Sequence, residues 1–142
     1  MSRLLEFFDG DAESFGFFYP RDYAVLGFAT LEEAREAEMQ LEAAGFGERE
    51  LLLAGGQDVL DTYRQIREDA GFWDRFKRAL TKSVGTEYDY IQDDIALAEK
   101  GGAFLVAYCP TTLEAERMRR FAARLKPAIA RRYTAMAIED LS

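Results

Sequence analysis

At 142 residues, 49% hydrophobic and 31% charged, the chain fits one globular domain with a real core, and its composition is not that of a disordered polymer. A net charge of −8 counts against nucleic acid as the main partner, and the absence of histidine removes the usual neutral-pH base together with imidazole-ligated metal sites. No apolar run approaches the ~20 residues that a membrane-spanning helix needs, no signal peptide is legible, and the single Cys109 permits no internal disulfide, so a cytoplasmic location without membrane contact is expected.

The charge is unevenly spread. Residues 1–50 hold 12 acids and 4 bases, whereas residues 51–142 hold 14 of each. Between Arg117 and Arg132 the chain carries seven bases and no acid.

Residues 1–22 read as an aromatic N-terminal arm. Phe7, Phe8, Phe15, Phe17, Phe18 and Tyr19 are too apolar for a free tail, while Asp9-Gly10-Asp11 and Pro20 interrupt any long element. Such an arm would cap the core of its own chain or pack on a second subunit. Residues 23–142 read as a single α+β domain with a helical insertion at about 57–100.

Tyr23–Phe28 is apolar at nearly every position, as a strand buried on both faces must be. Thr30-Leu31-Glu32-Glu33 has capping-box spacing and begins a helix whose buried face is Ala34, Ala37, Leu41 and Ala44, ending at Gly45. Leu51–Ala54 is a second short strand stopped by Gly55-Gly56. Three amphipathic stripes follow: Val59/Leu60/Tyr63/Ile66/Ala70, Phe72/Trp73/Phe76/Leu80/Val84 and Tyr88/Ile91/Ile95/Ala98. They predict three helices between the second and third strands. Ala103–Tyr108 is the third strand. Thr111–Glu114 repeats the capping chemistry, and Ala115, Met118, Ala122 and Leu125 repeat the helix face. Arg132–Ile138 alternates and reads as a fourth strand, with Glu139–Ser142 as a tail.

Strand one and strand three align at an offset of 80, the caps at 82 and the helix faces at 81. Two βαβ halves predict a ferredoxin-like α+β domain, an antiparallel four-stranded sheet in the order 4-1-3-2 with both repeat helices on one face. The other face needs a cover, and the insertion together with a partner subunit is the expected one. The first repeat helix is acidic (Glu32, Glu33, Glu36, Glu38, Glu42) and the second basic (Arg117, Arg119, Arg120, Arg124). Side by side, they would attract at their rims and offer a complementary surface to a second copy.

The Tyr23–Phe28 strand, the Ala34/Ala37/Leu41/Gly45 helix pattern, the long helical middle and Gly101-Gly102 before an apolar strand resemble the general stress protein 17M/YflT-type domain of bacteria. The resemblance covers about residues 21–140. It implies a bacterial stress-associated protein and carries no catalytic residues.

Site chemistry is sparse. Gly55-Gly56 lacks the Gly-Lys-Ser/Thr of a phosphate loop, and Gly101-Gly102 precedes a strand, the wrong context for a dinucleotide fingerprint. No cofactor, metal site or catalytic residue is expected. Cys109, between a strand end and a helix start, could have its thiol pKa lowered by the helix dipole, but reads better as a small buried side chain. Glu87, Asp89, Asp93, Asp94 and Glu99 read as a solvated helix face rather than a cation site. The expected function is non-enzymatic, through homodimerisation or protein-partner binding. A small-ligand sensor with Trp73, Phe76 and Tyr88 as its aromatic wall is the alternative, and an enzyme built on carboxylates or on Tyr108 and Tyr133 is a third reading.

Overall fold

Apolar residues at successive positions can all be buried only if a strand lies in the middle of a sheet with both faces covered. The computed structural model, which describes residues 20–71, 73–74, 86–135 and 137–142, shows that arrangement. Its strands are β1 (Tyr23–Phe28), β2 (Leu51–Gly55), β3 (Ala103–Tyr108), β4 (Ile129–Tyr133) and β5 (Ile138–Asp140). Its helices are α1 (Leu31–Ala43), α2 (Gly56–Glu68), α3 (Thr86–Glu99) and α4 (Thr112–Leu125), with a short 3₁₀ turn at Glu48–Glu50. The class is α+β. The sheet is antiparallel, in the order β2-β3-β1-β4-β5, and β1 pairs with β3 from Tyr23 opposite Tyr108 to Phe28 opposite Ala103.

The two faces of the sheet hold separate cores. Ala24, Leu26 and Phe28 of β1 and Ala103, Leu105 and Ala107 of β3 point to the first, where Ala34, Ala37 and Leu41 of α1 and Ala115, Met118, Phe121 and Ala122 of α4 meet them. The small alanines bring both helices close to the sheet. Val25, Leu52, Phe104 and Val106 point the other way, onto Val59 and Ile66 of α2 and Ile91, Ile95 and Ala98 of α3. Among the described residues, then, the insertion supplies the cover of the second face, and that face gives no reason for the partner subunit the sequence reading placed there. Gly27 in β1 shows how tightly the insertion lies: a Cβ there would stand 2.7 Å from a Leu97 methyl and 3.0 Å from Ile129 Cβ.

The helix ends follow the sequence chemistry with one difference. Thr30 and Thr111 accept from the backbone N–H of Glu33 and Glu114 at 3.2 and 3.3 Å. Neither glutamate returns a bond to its cap backbone: the Thr111 hydroxyl instead donates to the Glu114 carboxylate at 3.0 Å. Helix α1 closes with Gly45 at φ +111°, while Phe46 N–H reaches the Leu41 carbonyl and Gly45 N–H the Glu42 carbonyl. This is a Schellman cap, with Phe46 and Leu41 buried in the same core.

Two expectations need correction. Among the described residues the sheet has five strands, because the alternating run Arg132–Ile138 is a tight hairpin rather than one strand. The Thr134 N–H donates to the Ala137 carbonyl at 2.8 Å, and the Thr134 hydroxyl accepts from Ala137 N–H at 2.9 Å, which turns the chain. The supposed tail Glu139–Ser142 begins inside β5, and Leu141 is buried. In the insertion, α2 and α3 realise the first and third stripes. The second stripe falls mostly outside the described residues.

Candidate functional site

The polar chemistry buried in the described chain is concentrated between α3 and β4. Strand β4 follows α4, the second repeat helix, and presents Arg131 to the second sheet face. Helix α3 presents Asp94 on the stripe of Ile91, Ile95 and Ala98. Arg131 is 5% and Asp94 1% exposed, and their closest approach is 2.9 Å. Arg131 Nη1 also donates to the Tyr133 hydroxyl at 2.8 Å, Nη2 points at the Tyr90 carbonyl at 3.4 Å, and the guanidinium lies 4.7 Å from the Tyr90 ring centre. Burial pushes the Asp94 carboxyl up to about 6 against the pull of Arg131, so desolvation exceeds the attraction of the pair. The cluster therefore has one of the two features of a catalytic acid, a raised pKa, but lacks the other, since substrate cannot reach a carboxyl and a hydroxyl sealed in the core. It fastens α3 to the sheet.

This corrects the sequence reading of Asp94 as part of a solvated face. Asp89, Asp93 and Glu99 are exposed, whereas Asp94 is not. The signal was present: Asp94 lies three residues from Ile91 and four from Ala98, on the apolar stripe. Among the described residues no three acidic or cysteine side chains are grouped to hold a metal ion.

Cys109 is fully buried, and burial pushes its thiol up to about 11 despite Arg132 nearby. The helix-start position does not yield a reactive thiolate, because desolvation dominates. Arg132 donates to the Cys109 carbonyl at 2.7 Å and pairs with Glu139 across the β4–β5 hairpin. Of the two tyrosines considered for catalysis, Tyr133 belongs to the Arg131 cluster, while Tyr108 packs on Tyr23 with ring centres 5.2 Å apart.

Trp73, the part of the aromatic wall that is described, meets Tyr63 edge-on at 5.9 Å. Arg67 lies 5.7 Å from both ring centres. Beside them Leu60, Tyr63, Arg64, Arg67, Glu68, Ile95 and Glu99 line an open groove of about 560 Å³ between α2 and α3. Phe76 and the side chain of Tyr88 lie outside the described residues.

Among the described residues, the outer helix layer separates its charge by sign. Helix α1 carries five glutamates against Arg35, and α4 carries four arginines against Glu114 and Glu116. The expected attraction between their rims is not what the arginines do. Arg117 donates to the Ala44 carbonyl and lies over the rings of Phe46 and Phe121. Arg119 pairs with Glu116 of its own helix at 3.2 Å and donates to the Asp140 carbonyl. Arg124 lies over Phe121. Glu32, Glu33, Glu42, Arg120 and Arg124 make no ion pair with the described chain. Met39 and Leu113, 63% and 81% exposed, stand on the same two helices. No helix among the described residues is long and apolar enough to cross a membrane. Comparison of the chain with protein-family models, with curated proteins and with solved structures found no match.

Proposed function

We propose that the chain is a non-enzymatic association domain whose outer helix layer, α1 and α4, docks a protein partner. The observation that carries this reading is the separation of charge on that layer, acidic on one helix and basic on its neighbour, with Glu32, Glu33, Glu42, Arg120 and Arg124 left without ion pairs in the described chain. Burial of the perturbed groups, Asp94 and Cys109, supports it, since neither is placed to meet a substrate. A ferredoxin-like arrangement of β1–α1–β2 and β3–α4–β4, and the bacterial stress-associated role that the family resemblance implies, belong to the same reading. Photo-crosslinkers placed at Met39 and Arg120 should give protein adducts in the source cells, and the same probe at the exposed Gln65 of α2 should not. Equal labelling from both faces would defeat the reading.

A small-ligand sensor is supported by the groove between α2 and α3, where the Arg67 guanidinium rests on two aromatic rings beside the apolar Leu60 and Ile95. Trp73 is the chain's one tryptophan and borders this groove through Tyr63, so a bound ligand should change its emission and raise the melting temperature together. A screen of small aromatic carboxylates that moves neither would remove this reading.

A further inference from the structure

We infer that the partner of the outer helix layer is a second copy of the chain, with α1 of each copy lying antiparallel over α4 of the other. This rests on the docking reading above. The geometry comes from the way the two helices lie in one chain. Arg117, near the start of α4, reaches Ala44 at the end of α1, while Glu32, Glu33 and Glu36 at the start of α1 share a groove with Leu125 and Lys126 at the end of α4. The helices therefore run antiparallel. A two-fold axis in the plane of the interface has two simple orientations. Across the helices, it would set acid on acid and base on base. Along them, midway between, it sets each acidic helix over the basic helix of the other copy. It also preserves height along the helix, so Glu36 of one copy stands near Arg124 of the other, and Glu42 near Arg120. Met39 and Leu113 are the exposed apolar side chains such a contact would cover.

The size of the patch predicts a weak dimer. Helices of 13 and 14 residues are each about 20 Å long, and two neighbours make a footprint about 20 Å across, at the small end for a specific interface. The overall charge of −8 opposes association at long range. At about 0.1 M salt the screening length is about 10 Å, so distant repulsion fades while contact pairs persist.

The test is sedimentation of the intact chain at that salt, from micromolar to millimolar concentration. The wild-type chain should dimerise reversibly, and more weakly in high salt. Arg120→Glu with Arg124→Glu should raise the dissociation constant by about tenfold or more, as should Glu36→Arg with Glu42→Arg. Mixing the two variants should restore the dimer, because each mixed contact again sets acid on base. Circular dichroism of each variant separates lost association from lost fold. A mixture that associates no better than either variant alone overturns the inference. So does a wild-type chain that stays monomeric. If that monomeric chain still gives adducts to a different protein from Met39 and Arg120, the docking reading survives and only the second-copy partner falls. Without such adducts both fall.

Discussion

Asp94 and Arg131 illustrate how burial changes what a residue type means. A surface Asp–Arg pair is worth roughly 0–1 kcal/mol, whereas removing one member of a buried pair leaves an uncompensated charge and costs roughly 3–5 kcal/mol. Asp94→Ala should therefore destabilise the domain by about that amount in urea unfolding. The combined change Asp94→Leu and Arg131→Met should cost far less, because it removes both charges; a double variant as unstable as Asp94→Ala would refute this account of the pair. The pH dependence has a definite sign. The Asp94 carboxyl titrates near 6 in the fold and near its ordinary 3.8 when unfolded, so the native state binds more protons between these values. Its contribution to stability is full below about pH 4 and is lost as pH rises through 6, a change on the order of 3 kcal/mol. The difference in unfolding free energy between the wild-type chain and Asp94→Asn should follow that curve, and parallel pH profiles would contradict it. Cys109 should resist thiol reagents at neutral pH until the protein is denatured, and stoichiometric labelling of the native chain within minutes would show that the thiol is not sealed.

At the scale of elements, much of the architecture was legible because local chemistry and tertiary packing agree. Thr30 and Thr111 cap their helices as their sequence positions suggest, and Gly45 takes the left-handed conformation that ends α1. Thr30→Ala and Thr111→Ala should each cost ~1 kcal/mol in chemical denaturation. Gly27→Ala should be more damaging than its small added volume suggests, since the new methyl would collide with Leu97 and with Ile129, a residue of the paired strand. Thermal unfolding of Gly27→Ala at the wild-type temperature would show that α3 can yield there. The β4–β5 hairpin was missed for a physical reason. Period-two alternation continues through a short turn, and it is Thr134 bonding to Ala137 that reverses the chain. Nothing in Thr-Ala-Met-Ala carries the glycine or asparagine that marks a usual two-residue hairpin.

For the molecule as a whole, the sheet separates two functions of packing. The repeat helices and the insertion each cover one face, so the described domain closes both cores within one chain. Among the described residues, self-association therefore has no exposed sheet face to bury, and the charged helix layer is where it is argued to occur. Of the aromatic residues offered by the sequence as a ligand wall, Trp73 meets Tyr63 and Arg67, and Arg67, which no periodic pattern singled out, lies equally far from both rings.

The sequence alone determined the α+β class, the two strand–helix repeats, the helix caps and the opposite charges of α1 and α4. Those depend on spacing and residue type over a few turns, where neighbours in the chain are neighbours in space. Only the tertiary structure decided which residues are dry. Asp94 and Arg131 lie 37 positions apart, and no local pattern states that they meet. Burial of α3 against the sheet turned an expected surface acid into a core carboxyl, and burial in the opposite core, among residues of α1 and α4, kept Cys109 a sealed thiol. Packing also covered the second sheet face with α2 and α3, and so moved the search for a partner from the sheet to the helices.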